Sequence, residues 1–272
     1  MHLRNIRAAL SNPALALEYL RWRFENLRSS GNATFTLINH ARIGNFIGFS
    51  EYHSLIGCIS RAEQEFFLSR TAKVEGDIID IGANIGIVSI LLAKQFRART
   101  VHAIEPADTT FSALQKNVAL NDLVNVKCHR LAISDVPGTI AFNADPTQRA
   151  TARIAVASDS HIQVVETMTL DAFVDKEAIG AIALLKIDVE GFESNVVRGG
   201  AQMLDRRLPR IIFMEICPAL SVSAGYDAAE PARLIGEAGY DWFRLDDNGA
   251  LVPVLPGDAA QVALENWVAL PR

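Results

Sequence analysis

Long apolar runs are missing from this 272-residue chain. A membrane-spanning helix needs about 20 predominantly apolar residues in succession, and no window supplies them. The N-terminus has arginines scattered through it where a secretory signal would need an apolar stretch, so the expectation is a cytoplasmic protein. Cysteine is scarce: Cys58, Cys128 and Cys217 lie far apart, which argues against a disulfide framework and against paired-cysteine metal motifs. Positive charge is in short supply as well. Lys and Arg total 26 against 31 Asp and Glu, a formal net charge of −5, the wrong sign for neutralising a run of phosphates. Nucleic acid is therefore not expected as a partner. Internal repeats and low-complexity tracts are absent, and no His/Asp constellation has metal-ligand spacing, so no metal is expected.

What is present is the composition of a globular protein, 50% apolar and 21% charged, with enough chain for one α/β domain and an attached segment. Residues 1–60 read as an N-terminal helical or lid extension, with helical spacing around Leu15, Tyr19, Leu20 and Trp22. Its arginines, Arg4, Arg7, Arg21, Arg23 and Arg28, form either a solvated basic face packed on the domain or a peripheral membrane-contact patch. No spanning segment is expected. Residues 61–272 read as the main domain. After a helix at 63–73, strands at 77–81, 100–104, 126–133, 183–187 and 210–216 alternate with helices near 85–96, 107–121, 193–204 and 230–238. That alternation implies right-handed crossovers and a doubly wound, mostly parallel sheet. Two further strands, at 241–245 and 263–270, lack an intervening helix and predict an antiparallel pair at one edge. The stretch 138–171 reads as an insertion of short strands, at 139–142, 154–157 and 162–167, near the substrate site.

Chemistry concentrates where the first of these strands ends. Asp80-Ile-Gly-Ala-Asn-Ile-Gly86 closes a buried strand with a glycine turn that opens straight into a helix, which is where open α/β sheets bind ligands. Gly82 and Gly86 suit a sharp turn and close approach of a ligand to the backbone. A second acid, Glu105, follows the next strand, at the interval where a carboxylate receives ribose hydroxyls. The pair points to an adenosine-type ligand. Dinucleotide enzymes use G-x-G-x-x-G to bring a helix N-terminus against a pyrophosphate, whereas the spacing here is D-x-G-x-x-x-G, which suits a cationic ligand without phosphate. A nicotinamide-dependent oxidoreductase on a related sheet stays open as an alternative, and so does a non-catalytic cofactor-binding scaffold.

Several pieces together resemble the FkbM family of S-adenosylmethionine-dependent methyltransferases. They are DIGANIG at 80–86, IEP at 104–106, Asn117 and Asn121, AISD at 132–135, TLDAF at 169–173, LKIDVEGFE at 185–193 and the strand ending in Glu215. The likeness spans roughly residues 60 to 217. It implies the class I methyltransferase (Rossmann-like) fold, seven strands with the last antiparallel, and methyl transfer usually to a hydroxyl of a sugar or polyketide-like product. It further implies that Asp80, Gly82, Asn84 and Gly86 contact the amino acid portion of S-adenosylmethionine, Glu105 its ribose, and Leu131, Ala132 and Ile133 its adenine.

In that reading the acceptor is a glycan or other small hydroxylated molecule. In-line transfer to an alcohol requires a group that takes the hydroxyl proton. Asp188 and Glu190, two apart after a buried strand, would share one side of an extended segment, and crowding raises a carboxyl pKa toward that task. Asp188 serves equally to hold the cofactor's ammonium group, and acidic residues here also suit a helix's first turn. Glu190 and Glu215 are candidate acceptor-binding residues, and His161 ranks third as a base behind Asp188 and Glu190. Lys186 reads as an ion-pair partner of these acids. No N/D-P-P-Y/F segment follows the fourth strand, which tilts the acceptor from nitrogen toward oxygen.

Overall fold

Ile78, Ile79 and Ile81 are β-branched and suit a pleated strand, and in the structure they are buried on both sides of it. The computed structural model describes residues 60–143 and 162–272, with short pieces at 24, 28, 35–36, 42–43 and 153–154. Two short strands, β1 (Phe35–Thr36) and β2 (Arg42–Ile43), pair antiparallel. Helix α1 (Arg61–Thr71) opens with a capping box between Ser60 and Glu63. The alternation then runs β3 (Asp77–Ile81), α2 (Ile87–Gln95), β4 (Val101–Ile104), α3 (Asp108–Leu120) and β5 (Val126–His129). Four short strands follow, β6 (Ala132–Ile133), β7 (Gly138–Asn143), β8 (Arg153–Ile154) and β9 (Ile162–Met168), and then α4 (Leu170–Lys176). The alternation resumes with β10 (Ile182–Ile187), α5 (Glu193–Gly199), α6 (Ala201–Asp205), β11 (Ile212–Ile216), α7 (Pro218–Ser223) and α8 (Glu230–Glu237). The last strands are β12 (Tyr240–Leu245), β13 (Leu251–Val254) and β14 (Glu265–Pro271).

The main sheet has the order β13-β12-β14-β11-β10-β3-β4-β5. Its central neighbours, from β11 through β5, run parallel, while β14 is antiparallel to both β11 and β12. The fold is the doubly wound, Rossmann-like sheet expected of class I methyltransferases, with eight strands where seven were expected. The additional strand is β13. The Asp246 side chain accepts from the amides of Asn248 (2.9 Å) and Ala250 (2.8 Å), and Gly249 adopts φ +77°, so the turn folds β13 back onto β12 as a hairpin.

Alternation along each strand divides the core in two. Ile78, Leu184, Phe213 and Val268 pack with Phe67, Ile90 and Leu114 on the face covered by α1, α2 and α3. Ile79, Leu185, Met214 and Trp267 pack with Phe173, Val196 and Ile235 on the opposite face. Asp80 and Lys186 are register partners on neighbouring strands, so both project to the first face, where burial of a charge is tolerable only with a partner.

Two expected elements divide. The strand expected at 126–133 ends at His129, and Ala132–Ile133 joins a separate sheet of order β6-β9-β7-β8; between them Arg130 turns out to pair with Asp108 at 2.8 Å. The helix expected at 193–204 breaks at Gly200 and restarts as α6, whose first free amides, Gln202 and Met203, donate to Asp171 at 3.0 and 2.8 Å. Thr169 caps α4 in turn by accepting from Ala172 at 3.2 Å. Among the described residues no helix is long and apolar enough to cross a membrane.

Candidate active site

The turn after β3 is shaped by its own neighbours. Gly82 has φ +76°, and a β-carbon there would stand 1.8 Å from the Asp188 carbonyl oxygen. Gly86, at φ +92°, would put one 2.6 Å from Leu114 Cδ1. The glycines therefore admit β10 and α3 against the turn, where close approach of a ligand was expected to be their use. Asn84 adopts φ +51°, which asparagine tolerates, and accepts from the Ile85 amide at 2.8 Å. Asn117 donates to the Ile85 carbonyl at 2.9 Å and holds the turn from α3.

Asp80 is fully buried. Its Oδ2 accepts from Ser89 Oγ at 2.6 Å, and its Oδ1 lies 3.3 Å from Lys186 Nζ. The expected open carboxylate is thus occupied within the fold. Lys186 also reaches Asp188 Oδ2 at 3.1 Å and the Gly82 carbonyl at 3.4 Å. Burial opposes its charge, but the Asp188 and Asp80 carboxylates outweigh burial and hold its pKa above the ordinary lysine value. One ammonium thus ties the ends of β3 and β10 together.

Glu105, at the end of β4, accepts from the Asn84 amide through Oε2 and from the Ala107 amide through Oε1, each at 3.0 Å. Burial raises its pKa to about 7 despite these two bonds. Each oxygen keeps a lone pair for a further donor. Alongside, Ala132 packs with Ala107, Val165 and Ile140 as a small apolar wall. Gln163 of β9 fastens the second sheet there, donating to the Pro106 carbonyl and accepting from the Asp108 amide, each at 3.2 Å.

The segment after β10 is a turn, and the extended alternation expected for Asp188 and Glu190 does not hold. Glu190 has φ +55°, a conformation that costs a residue other than glycine or asparagine roughly 1–3 kcal/mol. Glu193 clamps the turn, its Oε1 accepting from the amides of Val189 and Gly191, each at 3.2 Å. Burial, then the charges of Asp188 and Glu193, raise the pKa of Glu190 to about 8. Glu215, on the first face of β11, is raised as well, by burial and then by Asp188 and Glu190. Asp188, Glu190 and Glu215 thus form one acidic group beside the glycine turn, with Lys186 at its base. His161 lies outside the described residues, as does most of the 1–60 extension. Ser89 and the clamp of Glu193 were not anticipated; the acid at the start of the helix after β10 was the sequence signal for the clamp, and Ser89 had none.

The chain is similar to several known methyltransferases. The 31-O-demethyl-FK506 methyltransferase FkbM of Streptomyces tacrolimicus is 29% identical over 167 residues, covering 50% of this chain and 63% of that protein. The hexuronic acid methyltransferase AglP of Haloferax volcanii is 25% identical over 182 residues, covering 65% and 70%. The precorrin-6y C5,15-methyltransferase of Geobacter metallireducens superposes with a TM-score of 0.41 at 13% identity, covering 78% of this chain and 89% of that one. The chain spans 57%, 59% and 63% of the length of three curated relatives that it matches. The methyltransferase FkbM domain family matches residues 80–241, more than half of the chain, and the chain belongs to that family.

Proposed function

We propose that the chain transfers the methyl group of S-adenosylmethionine to a hydroxyl of a sugar, glycan or similar small hydroxylated acceptor. The observation that carries this reading is Glu190, a strained, largely buried acid set among Asp188 and Glu215 beside the glycine turn. The names of the FkbM and AglP relatives, which give 31-O-demethyl-FK506 and hexuronic acid, support the acceptor class.

The residues present fit the cofactor. Net acid around Lys186 suits a ligand carrying a sulfonium and an ammonium, and the free lone pairs of Glu105 suit ribose hydroxyls. Gly82, Asn84 and Gly86 would hold the amino acid portion, with Asp80 as a positioning residue acting through Ser89 and Lys186. Ala132 would border the adenine. Bound there, S-adenosylmethionine supplies an electrophilic methyl group. Asp188 and Glu215 would orient the acceptor, and Glu190 would take the hydroxyl proton as the new C–O bond forms and the C–S bond breaks, with S-adenosylhomocysteine as the leaving group. A carboxylate with a pKa of about 8 is a better proton acceptor than an ordinary one, at the expense of being largely protonated at neutral pH. Residues 138–171 and the 1–60 extension would border the acceptor.

The amide variants Glu190→Gln and Asp188→Asn test the assignment. Titration calorimetry should show S-adenosylhomocysteine bound as in the parent, while turnover on a hydroxylated acceptor falls by about 100-fold or more for Glu190→Gln. Unchanged turnover in both variants refutes the proton-transfer role. Binding of NAD in place of S-adenosylhomocysteine would indicate an oxidoreductase, and binding without label transfer to any acceptor fraction would indicate a scaffold.

A further inference from the structure

A second polar cluster lies on the other face of the sheet, away from Asp80. His102 of β4 is the register partner of Ile79, so its ring enters the second core, where the edge of Phe173 packs against it and against the ring of His129. His102 Nδ1 is 3.2 Å from His129 Nε2 and 3.9 Å from Glu177 Oε2, at the end of α4. One nitrogen from each histidine and one Glu177 oxygen lie within 4.8 Å of one another. The other nitrogen of His102 faces Asp77 Oδ2 at 3.5 Å without forming a hydrogen bond. Burial holds both imidazoles below the ordinary histidine pKa, His129 at about 4.

A tetrahedral ion with ligands at about 2.0–2.1 Å sets neighbouring ligand atoms about 3.3 Å apart. The imidazole pair already meets that spacing, and Glu177, only partly buried, has a short distance to close. A metal-bound histidine characteristically directs its other nitrogen at a carboxylate, which fixes the tautomer and the ring plane. Asp77 stands in that place. Lys127 Nζ sits 3.0 Å from Glu177 Oε2, so a positive charge already occupies the acid's open side; half exposed, Lys127 is free to withdraw into solvent. A hydrogen bond between two neutral histidines also accounts for the 3.2 Å contact, and what the metal reading adds is a use for the Glu177 oxygen beside the pair.

We propose that His102, His129 and Glu177 bind one zinc-class divalent ion, with Asp77 orienting His102 and water in the fourth position. The ion would join β4, β5 and α4. The amide of Glu105 donates to the His129 carbonyl at 3.0 Å, so the brace stands directly behind the carboxylate that we assign to the ribose. The role is structural, since the sheet separates the ion from Glu190.

Calorimetric titration of the metal-stripped full chain with zinc chloride tests the site. One ion per chain is expected, with affinity at least tenfold weaker in His129→Gln and in Glu177→Gln. Glu177 is near the surface, so its variant should fold, and circular dichroism checks both. Cobalt(II) should give the intense visible absorption of tetrahedral coordination in the parent and lose it in His129→Gln. Absence of stoichiometric binding, or equal binding by parent and both variants, overturns the proposal.

Discussion

At Gly82 a β-carbon would meet the Asp188 carbonyl oxygen at 1.8 Å, and the residue's φ of +76° is itself unfavourable for any side chain. The contact is backbone against backbone, so no flexible group can yield. Gly82→Ala should therefore destabilise the fold by about 2–5 kcal/mol, the sum of backbone strain and overpacking. Denaturant unfolding measures it; a loss below about 1 kcal/mol would show that β3 and β10 are not so closely joined. The same proximity explains Lys186. A lysine nine-tenths or more buried would ordinarily surrender its proton, but Asp80 and Asp188 on either side keep it charged. Positions 80, 186 and 188 look independent along the chain, and only the parallel register of β3 with β10 makes them one group.

At the scale of elements, the motif residues that resemble the family turn out to be joints. Asp171 starts α6, Thr169 starts α4, and Asp135 accepts from Ser134 and Asn195, tying β6 to α5. Asn121 is the joint to the N-terminal region. Its side chain accepts from the Arg42 amide at 2.7 Å and donates to the Arg42 carbonyl at 2.6 Å, holding β2 as a neighbouring strand would. Asn121→Ala removes both bonds, worth about 1–3 kcal/mol together. Limited proteolysis should then cut within residues 1–60 several-fold faster while the 61–272 core persists. Equal cleavage of variant and parent would mean that other contacts hold the extension. Element boundaries were the less legible part of the sequence: the split at Gly200 and the crossing of the chain between sheets at Arg130 depend on partners more than twenty residues away.

Across the whole molecule, buried acids and buried histidines pull stability in opposite directions with pH. Glu105 and Glu190 hold protons up to about 7 and about 8, against an ordinary value of 4.5 for the unfolded chain. Between those values the folded state binds more protons than the unfolded one, so stability declines as pH rises. His129, held at about 4 against 6.5, does the reverse: the unfolded state binds the extra proton, and stability is lost as pH falls below 6.5. Above 6.5 the acids outweigh the histidines among the described residues, so the melting temperature should drop from about pH 6.5 to 8. Glu190→Gln should flatten that slope. A parent melting temperature that climbs over the same interval would contradict the burial assigned to these acids.

The order of hydrophobic runs and glycine turns sufficed to determine a doubly wound sheet, a glycine turn at residues 80–86 and an acid at 105, because those features depend on periodicity and on neighbours a few positions apart. Tertiary structure alone decided which charges meet. Strand register placed Lys186 between two aspartates, a left-handed turn left Glu190 within electrostatic reach of Asp188 and Glu215, and the pairing of β4 with β5 brought His102 to His129. The physical reason is that the energy of a charge is set by burial and by partners within a few ångströms, and distance along the chain does not measure either.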